Sequence, residues 1–116
     1  MNRLVEFRAY NLRAGTREAF HHVVEHASVP MLRRWGTEVV AFGPSIMEID
    51  GYFLIRSYID VGDLNNRHDA FYGSSEWRDG PRESIVSLIE SSLSTVLWMS
   101  PQSIDDLRQS NMPIAN

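Results

Sequence analysis

The sequence predicts an α+β fold with the element order β-α-β-β-α-β. Three observations support it: strand-like alternation at the N-terminus, a following stretch with apolar residues every three or four positions, and two β-rich segments separated by turn residues. Chains with this order typically form a ferredoxin-like split βαβ unit, in which helices cover one face of a four-stranded antiparallel sheet. The 116 residues suffice for one core, so we expect a single domain over residues 1–99 and a tail over residues 100–116.

The first strand and the first helix are separated by a short turn. Arg3–Tyr10 has the two-residue periodicity of a strand. Thr16 can cap the helix that follows, and its apolar stripe continues to Gly36, a typical C-terminal breaker. Pro30 lies inside this helix and removes one backbone hydrogen bond, so we expect a kink near His26.

The remaining elements follow from composition and turn signals. They are, in order, a strand over Thr37–Phe42, a strand over Tyr52–Ile59, a helix over about Asp63–Tyr72, a helix beginning near Pro81, a strand over Leu93–Met99 and a short tail helix over Ser103–Gln109. The first two strands of this group are expected to form a hairpin. We expect the tail to be mobile or to lie across a partner.

Composition excludes several classes of function. The chain has no Cys, which excludes disulfides, thiolate zinc sites and thiol nucleophiles, and its eleven basic residues are all Arg, which excludes a Schiff base on Lys. A net charge of −4 with scattered Arg argues against nucleic-acid binding. No apolar run is long enough for a membrane span and no signal segment is evident, so we expect a cytoplasmic protein without membrane or nucleic-acid partners.

The face of the sheet that the helices leave bare is the surface on which the functional prediction depends. Alternation assigns to it one row of residues from the two central strands, with three more from the outer strands. They are Leu4, Glu6, Arg8, Tyr10, Tyr52, Leu54, Arg56 and Tyr58, together with Val40, Phe42 and Trp98. Such an apolar surface is too large to stay exposed on a monomer. We therefore predict a homodimer in which two sheets close face to face as a barrel.

The charged and phenolic residues of this row are the candidate ligand-binding residues. Glu6, Arg8, Tyr10, Arg56 and Tyr58 would lie inside or at the mouth of the shared cavity. In one interpretation Glu6 forms structural ion pairs with the arginines, because unpaired buried charges are costly. In the other, an arginine binds the acidic group of a small apolar or aromatic ligand that a tyrosine orients.

The histidines are the remaining candidates for chemistry. His68 is the first choice for a catalytic acid or base. In the alternative interpretation, His68 is a partly exposed residue of the second helix without a catalytic role. His22 and His26 have a spacing compatible with a metal, but the protease motif would need Glu where Val23 stands, so solvent-facing residues are the preferred interpretation. We predict no metal and no cofactor.

The sequence resembles the NIPSNAP family over residues 3–99. The resemblance lies in the order and spacing of short motifs: Glu6-x-Arg8-x-Tyr10, Gly15-Thr16 followed by Phe20, the helix end with Pro30, Leu32 and Gly36, Arg56-Ser57-Tyr58, and Glu76-Trp77. It departs from the family pattern at Ile55 and at Ser74-Ser75. The resemblance implies a dimeric α+β barrel without implying a reaction, since fold alone transfers no activity.

Three function classes follow from these observations. The first is a dimeric protein that binds, and in its enzymatic version transforms, a small apolar or aromatic acid. The second is a non-enzymatic interaction module in which the outer helices or the tail contact a partner. The third, suggested by wider relatives of the barrel architecture, is a cofactor-independent monooxygenase or a haem-binding protein.

Overall fold

A computed structural model describes residues 1–111 of the chain, and their fold is the predicted ferredoxin-like α+β arrangement. All neighbouring strands pair antiparallel, in the order β2-β3-β1-β4. The strands are β1 (Arg3–Leu12), β2 (Glu38–Pro44), β3 (Gly51–Tyr58) and β4 (Ile89–Met99). The helices are α1 (Arg17–Val23), α2 (Val29–Arg34), α3 (Val61–Tyr72), α4 (Ser75–Arg78), α5 (Arg82–Val86) and α6 (Pro101–Ser110).

The first helical stretch is divided as predicted, by a π-helical turn over Val24–Ser28 between α1 and α2. Pro30 has no N–H to donate and its ring crowds the preceding turn, so the backbone widens just before it. Gly36 ends the stretch with a φ of 85°, a conformation that favours glycine. The capping prediction for Thr16 is wrong, because its hydroxyl donates to the carbonyl of Arg13 at 2.7 Å instead.

Strands β2 and β3 form the predicted hairpin, joined by a loop over residues 45–50 that is anchored from α1. The Arg17 guanidinium donates to the carbonyl oxygens of Ser45 at 3.2 Å and Glu48 at 2.7 Å. These bonds fix the loop against the helix although its tip projects into solvent. The tip carries three exposed apolar side chains, Ile46, Met47 and Ile49.

The second helical region differs from the prediction at its C-terminal end. Helix α3 begins after Asp60, whose carboxylate accepts from the backbone N–H of Asp63 at 2.8 Å. Helix α5 ends at Val86, and the backbone is already paired as β4 from Ile89, because β1 continues to Leu12 and offers a partner there. Strand β4 is therefore four residues longer at its start than the predicted one.

The assignment of the two sheet faces made from the sequence is wrong. The row that includes Glu6, Tyr52 and Arg56 lies beneath the helices, where Tyr52 and Leu54 belong to the main core. The other members Leu4, Arg8, Tyr10, Phe42, Tyr58 and Trp98 share this side by strand alternation or packing. Only Val40 lies on the opposite side, where a register shift between Val39 and Ala41 displaces β2. Both rows of β1 and β3 are rich in apolar residues, and alternation defines two rows without saying which one the helices cover.

The opposite face of the sheet carries a second, smaller core. Val5, Val40, Ala41 and Ile55 pack there with Ile104 of α6, and partly buried Phe7, Phe53, Met99 and Leu107 join them. The tail helix predicted at Ser103–Gln109 is thus present and packs on the sheet of its own chain. Arg108 adds an ion pair with Glu38 of β2, with 3.4 Å between Nη2 and Oε1. Residues 112–116 of the predicted tail lie outside the described residues.

The packing of α6 gives a stability prediction. Ile104 is buried against the sheet, so Ile104→Ala is expected to lower the free energy of unfolding by about 2 kcal/mol, at the low end for buried aliphatic residues because a peripheral helix can settle into the space. Urea unfolding at fixed protein concentration measures the change. Gln109→Ala, on the exposed side of the same helix, is the control and should change it by less than about 0.5 kcal/mol. Equal effects of the two substitutions would contradict the packing of α6.

Candidate functional site

A buried ion pair lies at the centre of the helix-covered face. Glu6 of β1 and Arg56 of β3 are register partners on neighbouring strands, so their side chains emerge side by side. Arg56 Nη2 is 2.7 Å from Glu6 Oε1, and Arg56 Nε donates to the same oxygen at 3.0 Å. Arg56 is 0% exposed and Glu6 is 3% exposed. Each charge thus has the other as its partner in place of water, as buried charges require.

Helix α3 adds two aromatic rings above this pair. His68 and Tyr72 are four residues apart and therefore lie on one face of the helix. His68 Nε2 is 3.3 Å from Glu6 Oε1 and 3.1 Å from the Tyr58 hydroxyl, and Arg56 Nη1 donates to the Tyr72 hydroxyl at 2.6 Å. We call Glu6, Arg8, Arg56, Tyr58, His68 and Tyr72 the Glu6 cluster.

The charges of the cluster set the protonation of Glu6. Burial by itself would raise the pKa of this carboxyl, but the hydrogen bond from His68 and the charges of Arg56, His68 and Arg8 outweigh burial and lower the pKa to about 2. Burial raises the pKa of the nearby Tyr10 to about 12. Burial also raises the pKa of Tyr58 above its ordinary range. At neutral pH Glu6 is therefore a carboxylate, and Tyr10 and Tyr58 are protonated.

Arg8 is the member of the cluster that is least satisfied. Its Nη1 is 3.9 Å from Glu6 Oε2, and its guanidinium lies 5.7 Å from the centre of the Tyr10 ring. Its Nε is buried and makes no hydrogen bond to the described residues. A buried donor without a partner is uncommon in folded proteins, and it costs free energy until something accepts from it.

Arg8 lines an open cleft of about 350 Å³ between the sheet and helices α3, α4 and α5. The polar part of the wall comes from the Glu6 cluster and from Arg82 at the start of α5, whereas the rest is aromatic or aliphatic. The lining residues are Arg8, Tyr10, His68, Tyr72, Trp77, Arg82, Ile85, Val86 and Ile89. An apolar cleft with a few convergent polar groups is the usual form of a small-molecule site.

The six residues singled out from the sequence lie in one region, although not where they were expected. Five belong to the Glu6 cluster, and Tyr10 lies beside Arg8. Their surroundings are the helices of their own chain. Their binding and catalytic roles remain predictions, and the ion pair between Glu6 and Arg56 is the contact that the structural interpretation anticipated.

Among the polar and aromatic residues of the cleft, sequence reasoning missed three, Tyr72, Trp77 and Arg82. Tyr72 could have been found, because its spacing from His68 places both on the inner side of α3. Trp77 entered the sequence analysis only as part of the Glu76-Trp77 motif, and it is buried in the main core while also lining the cleft. Arg82 follows Pro81 in a short helix, and no sequence pattern distinguishes it from a solvated arginine.

The other histidines lie away from this cleft. His21 contacts the Tyr52 hydroxyl through Nδ1 at 2.6 Å and Glu25 through Nε2 at 2.7 Å, which ties α1 to the sheet. The rings of His22 and His26 have centroids 4.5 Å apart on the surface. Within residues 1–111 no group of three potential ligands lies close enough together to hold a metal ion. None of the helices in that part of the chain is long and apolar enough to cross a bilayer.

Comparison with known proteins identifies the fold. No protein-family model matches the sequence, and no curated protein matches it either. Among solved structures, a NIPSNAP family protein of unknown function from Agrobacterium tumefaciens is 21% identical, with a TM-score of 0.77 over 84% of this chain and 88% of that chain. A NIPSNAP-like domain protein from Burkholderia xenovorans is 19% identical, with a TM-score of 0.77 over 85% of this chain and 86% of that one.

A wider relative has the same architecture. A protein from Nitrosomonas europaea that is assigned as an antibiotic biosynthesis monooxygenase is 17% identical, with a TM-score of 0.59 over 81% of this chain and 95% of that chain. The resemblance to the NIPSNAP family that the motifs indicated is thus confirmed at the level of fold. Likeness at these identities carries no reaction with it.

The Glu6 cluster predicts a specific pH dependence of stability. The pKa of Glu6 falls from its ordinary value of 4.5 to about 2 on folding, so its carboxylate stabilises the fold above pH 4.5 and this contribution is lost as the pH falls toward 2. Glu6→Gln removes the charge that balances buried Arg56, and we expect a loss of about 3 kcal/mol at neutral pH. The difference in the free energy of unfolding between wild type and variant should become smaller as the pH falls from 5 to 2.

Urea unfolding across this pH range measures this difference. Glu90→Gln is the control, because Glu90 is exposed and makes no ion pair with the described residues, so its effect should be small at every pH. A difference for Glu6→Gln that stays constant down to pH 2 would contradict the assignment.

Proposed function

We propose that this chain is a NIPSNAP-like protein that forms a homodimer and binds a small apolar or aromatic acid. The proposal places the ligand in the cleft beneath α3 and α5. The sequence suggested instead a cavity between the sheets of two chains. We do not place the ligand there, because the candidate residues face the helices of their own chain. The NIPSNAP-type fold by itself indicates no ligand, and it is the cleft that supports one.

The observation that carries the proposal is the loosely paired guanidinium of Arg8, whose side chain is 29% exposed and lines this cleft. Glu6 is already bound to Arg56 at 2.7 Å and lies 3.9 Å from Arg8, so it balances the charge of Arg8 only weakly. An anionic oxygen in the cleft would accept from this guanidinium and would supply the missing counter-charge. Arginine is well suited to this contact, because its planar donors match a carboxylate.

The rest of the cleft wall indicates which chemical group is attached to the acidic group of the ligand. Trp77, Ile85, Val86 and Ile89 present ring and aliphatic surface, and Arg82 adds a second cation at the rim. The only described carboxylate within ion-pair distance of Arg82 is the exposed Glu83 beside it, 3.7 Å away. A cleft whose wall combines two arginines with apolar surface favours a ligand with an acidic group and a hydrocarbon or ring.

Acid binding is tested directly with phenylacetate, titrated into the full chain by isothermal calorimetry. Arg8→Gln is expected to weaken binding at least tenfold, because a charge-assisted hydrogen bond contributes about 1.5–3 kcal/mol. Arg33→Gln is the matched control, since Arg33 lies exposed on α2 outside the cleft, and its affinity should equal that of wild type. Equal affinities for Arg8→Gln and wild type would place the acid elsewhere, and absence of binding to wild type would overturn the proposal for aromatic acids.

The dimer is proposed on the opposite face of the sheet. Helix α6 covers the side of this face near β2 and β3, whereas β4 is exposed along its length. Leu93 and Leu97 of β4 are 72% and 41% exposed and point to the side opposite the helices, next to the partly buried Phe7. A second copy is the proposed cover, because apolar side chains in such a row are better buried than hydrated.

Sedimentation equilibrium at micromolar concentration tests this interface. Wild type is expected at twice the mass of the chain, and Leu93→Glu is expected to shift it toward single chains by placing a charge in the apolar contact. Ala19→Glu puts the same side chain on the outer side of α1 and should leave the mass unchanged. Monomeric wild type, or a dimer indifferent to Leu93→Glu, would refute this interface.

A second candidate function is a protein-interaction module, which the loop between β2 and β3 favours. Its three apolar side chains, Ile46, Met47 and Ile49, are exposed on a loop held in place by Arg17. Rigid apolar side chains of this kind are typical contact residues. The phenylacetate titration discriminates the two candidates, since an interaction module has no reason to bind the acid through Arg8.

A further inference from the structure

His68 is held with one ring nitrogen toward the interior. Its Nε2 faces the Glu6 carboxylate at 3.3 Å and the Tyr58 hydroxyl at 3.1 Å, and its ring packs against Tyr58 and Tyr72. The side chain is nevertheless 24% exposed and lines the acid-binding cleft. The inward contacts through Nε2 leave Nδ1, on the other side of the ring, for the cleft. Nδ1 makes no hydrogen bond to any residue in the described part of the chain.

Glu6 determines which nitrogen of His68 carries the proton. A carboxylate can only accept hydrogen bonds, so the contact with Glu6 is favourable only when Nε2 is protonated. In the neutral ring Nδ1 is then the unprotonated, basic nitrogen. A carboxylate behind a histidine is a common way to fix the tautomer and the orientation of a general base.

The cleft also contains a donor for the charge that proton removal would create. The Arg8 side chain lines the same wall, is 29% exposed and has its nearest carboxylate 3.9 Å away, so its guanidinium is available to an oxygen that becomes negative during a reaction. A preorganised donor beside a general base is the minimal arrangement for removing a proton from a carbon next to a carbonyl. In a 2-oxo acid the carboxylate is bonded to the keto carbon, so the planar donors of Arg8 can reach an oxygen of each group, and Arg82 at the rim adds a second cation.

From these three placements we infer that the cleft catalyses the enolisation of small apolar or aromatic 2-oxo acids, with His68 as the base and Glu6 as its positioning residue. The inference rests on the proposed acid-binding function. His68 Nδ1 takes a proton from the carbon next to the keto group. The electron pair of that C–H bond forms the carbon–carbon double bond, and the carbonyl π pair moves to the keto oxygen, which accepts from Arg8. Return of a proton from His68 to the same carbon restores the keto acid.

The reaction is measured with phenylpyruvate in deuterated water, by proton NMR of the carbon next to the keto group. Wild type is expected to accelerate replacement of these protons by deuterium above the rate in buffer alone. His68→Gln should lower the accelerated rate at least about 100-fold, the usual effect of losing a general base, while its affinity for phenylacetate changes less than threefold. His22→Gln is the matched control on the exposed side of α1 and should exchange at the wild-type rate.

Nitrogen NMR of wild type gives a second measurement that needs no substitution in the cluster. At a pH where His68 is neutral, its Nε2 should carry the proton and its Nδ1 should give the signal of an unprotonated nitrogen. The opposite tautomer would overturn the inference. So would phenylpyruvate that binds without accelerated exchange, or exchange that survives His68→Gln, and both results leave the proposed acid binding intact. Failure of both phenylpyruvate and phenylacetate to bind would overturn the two proposals together.

Discussion

The buried ion pair between Glu6 and Arg56 is the interaction on which the helix-covered face depends. Two charges from neighbouring strands neutralise one another at 2.7 Å, which allows α3 to pack over a polar centre. The hydroxyl of Tyr72 and the ring of His68 then attach this helix to the pair. The contacts of Arg56 and His68 with Glu6 all fall on its Oε1, whereas its Oε2 stays 3.9 Å from Arg8 Nη1. The carboxylate that holds α3 to the sheet is thus only loosely paired with Arg8.

Much of the fold could be predicted from the sequence, because proline, glycine and turn residues act on the backbone at their own positions. Pro30 and Gly36 locate the irregularity and the end of the first helical stretch, and the turn residues before Tyr52 locate the hairpin. The start of β4 at Ile89 did not follow, because it depends on pairing with the end of β1, which is a contact between distant parts of the chain. Elements defined by their own residues are predictable in a way that elements defined by a neighbour are not.

The candidate site shows the same division. Sequence alternation grouped Glu6, Arg8, Arg56 and Tyr58 correctly, because register partners on neighbouring strands share a face. It could not assign that face to the helices, since a paired Glu and Arg tolerate burial as well as apolar residues do once their hydrogen bonds are made. Arg82 could not be found at all, because its place at the cleft depends on how the short helix α5 is positioned on the sheet.

The exposed edge of strand β4 bears on how readily newly made chains aggregate. It is an edge strand of eleven residues, exposed on both faces, and its outer backbone groups have no neighbour within the described chain. Such an edge is a template for unwanted strand pairing, and it lacks the lysines and prolines that usually discourage it. Newly synthesised chains that meet while this edge is uncovered can therefore pair through it and aggregate. Slower encounters between chains at low expression temperature would raise the yield of folded protein.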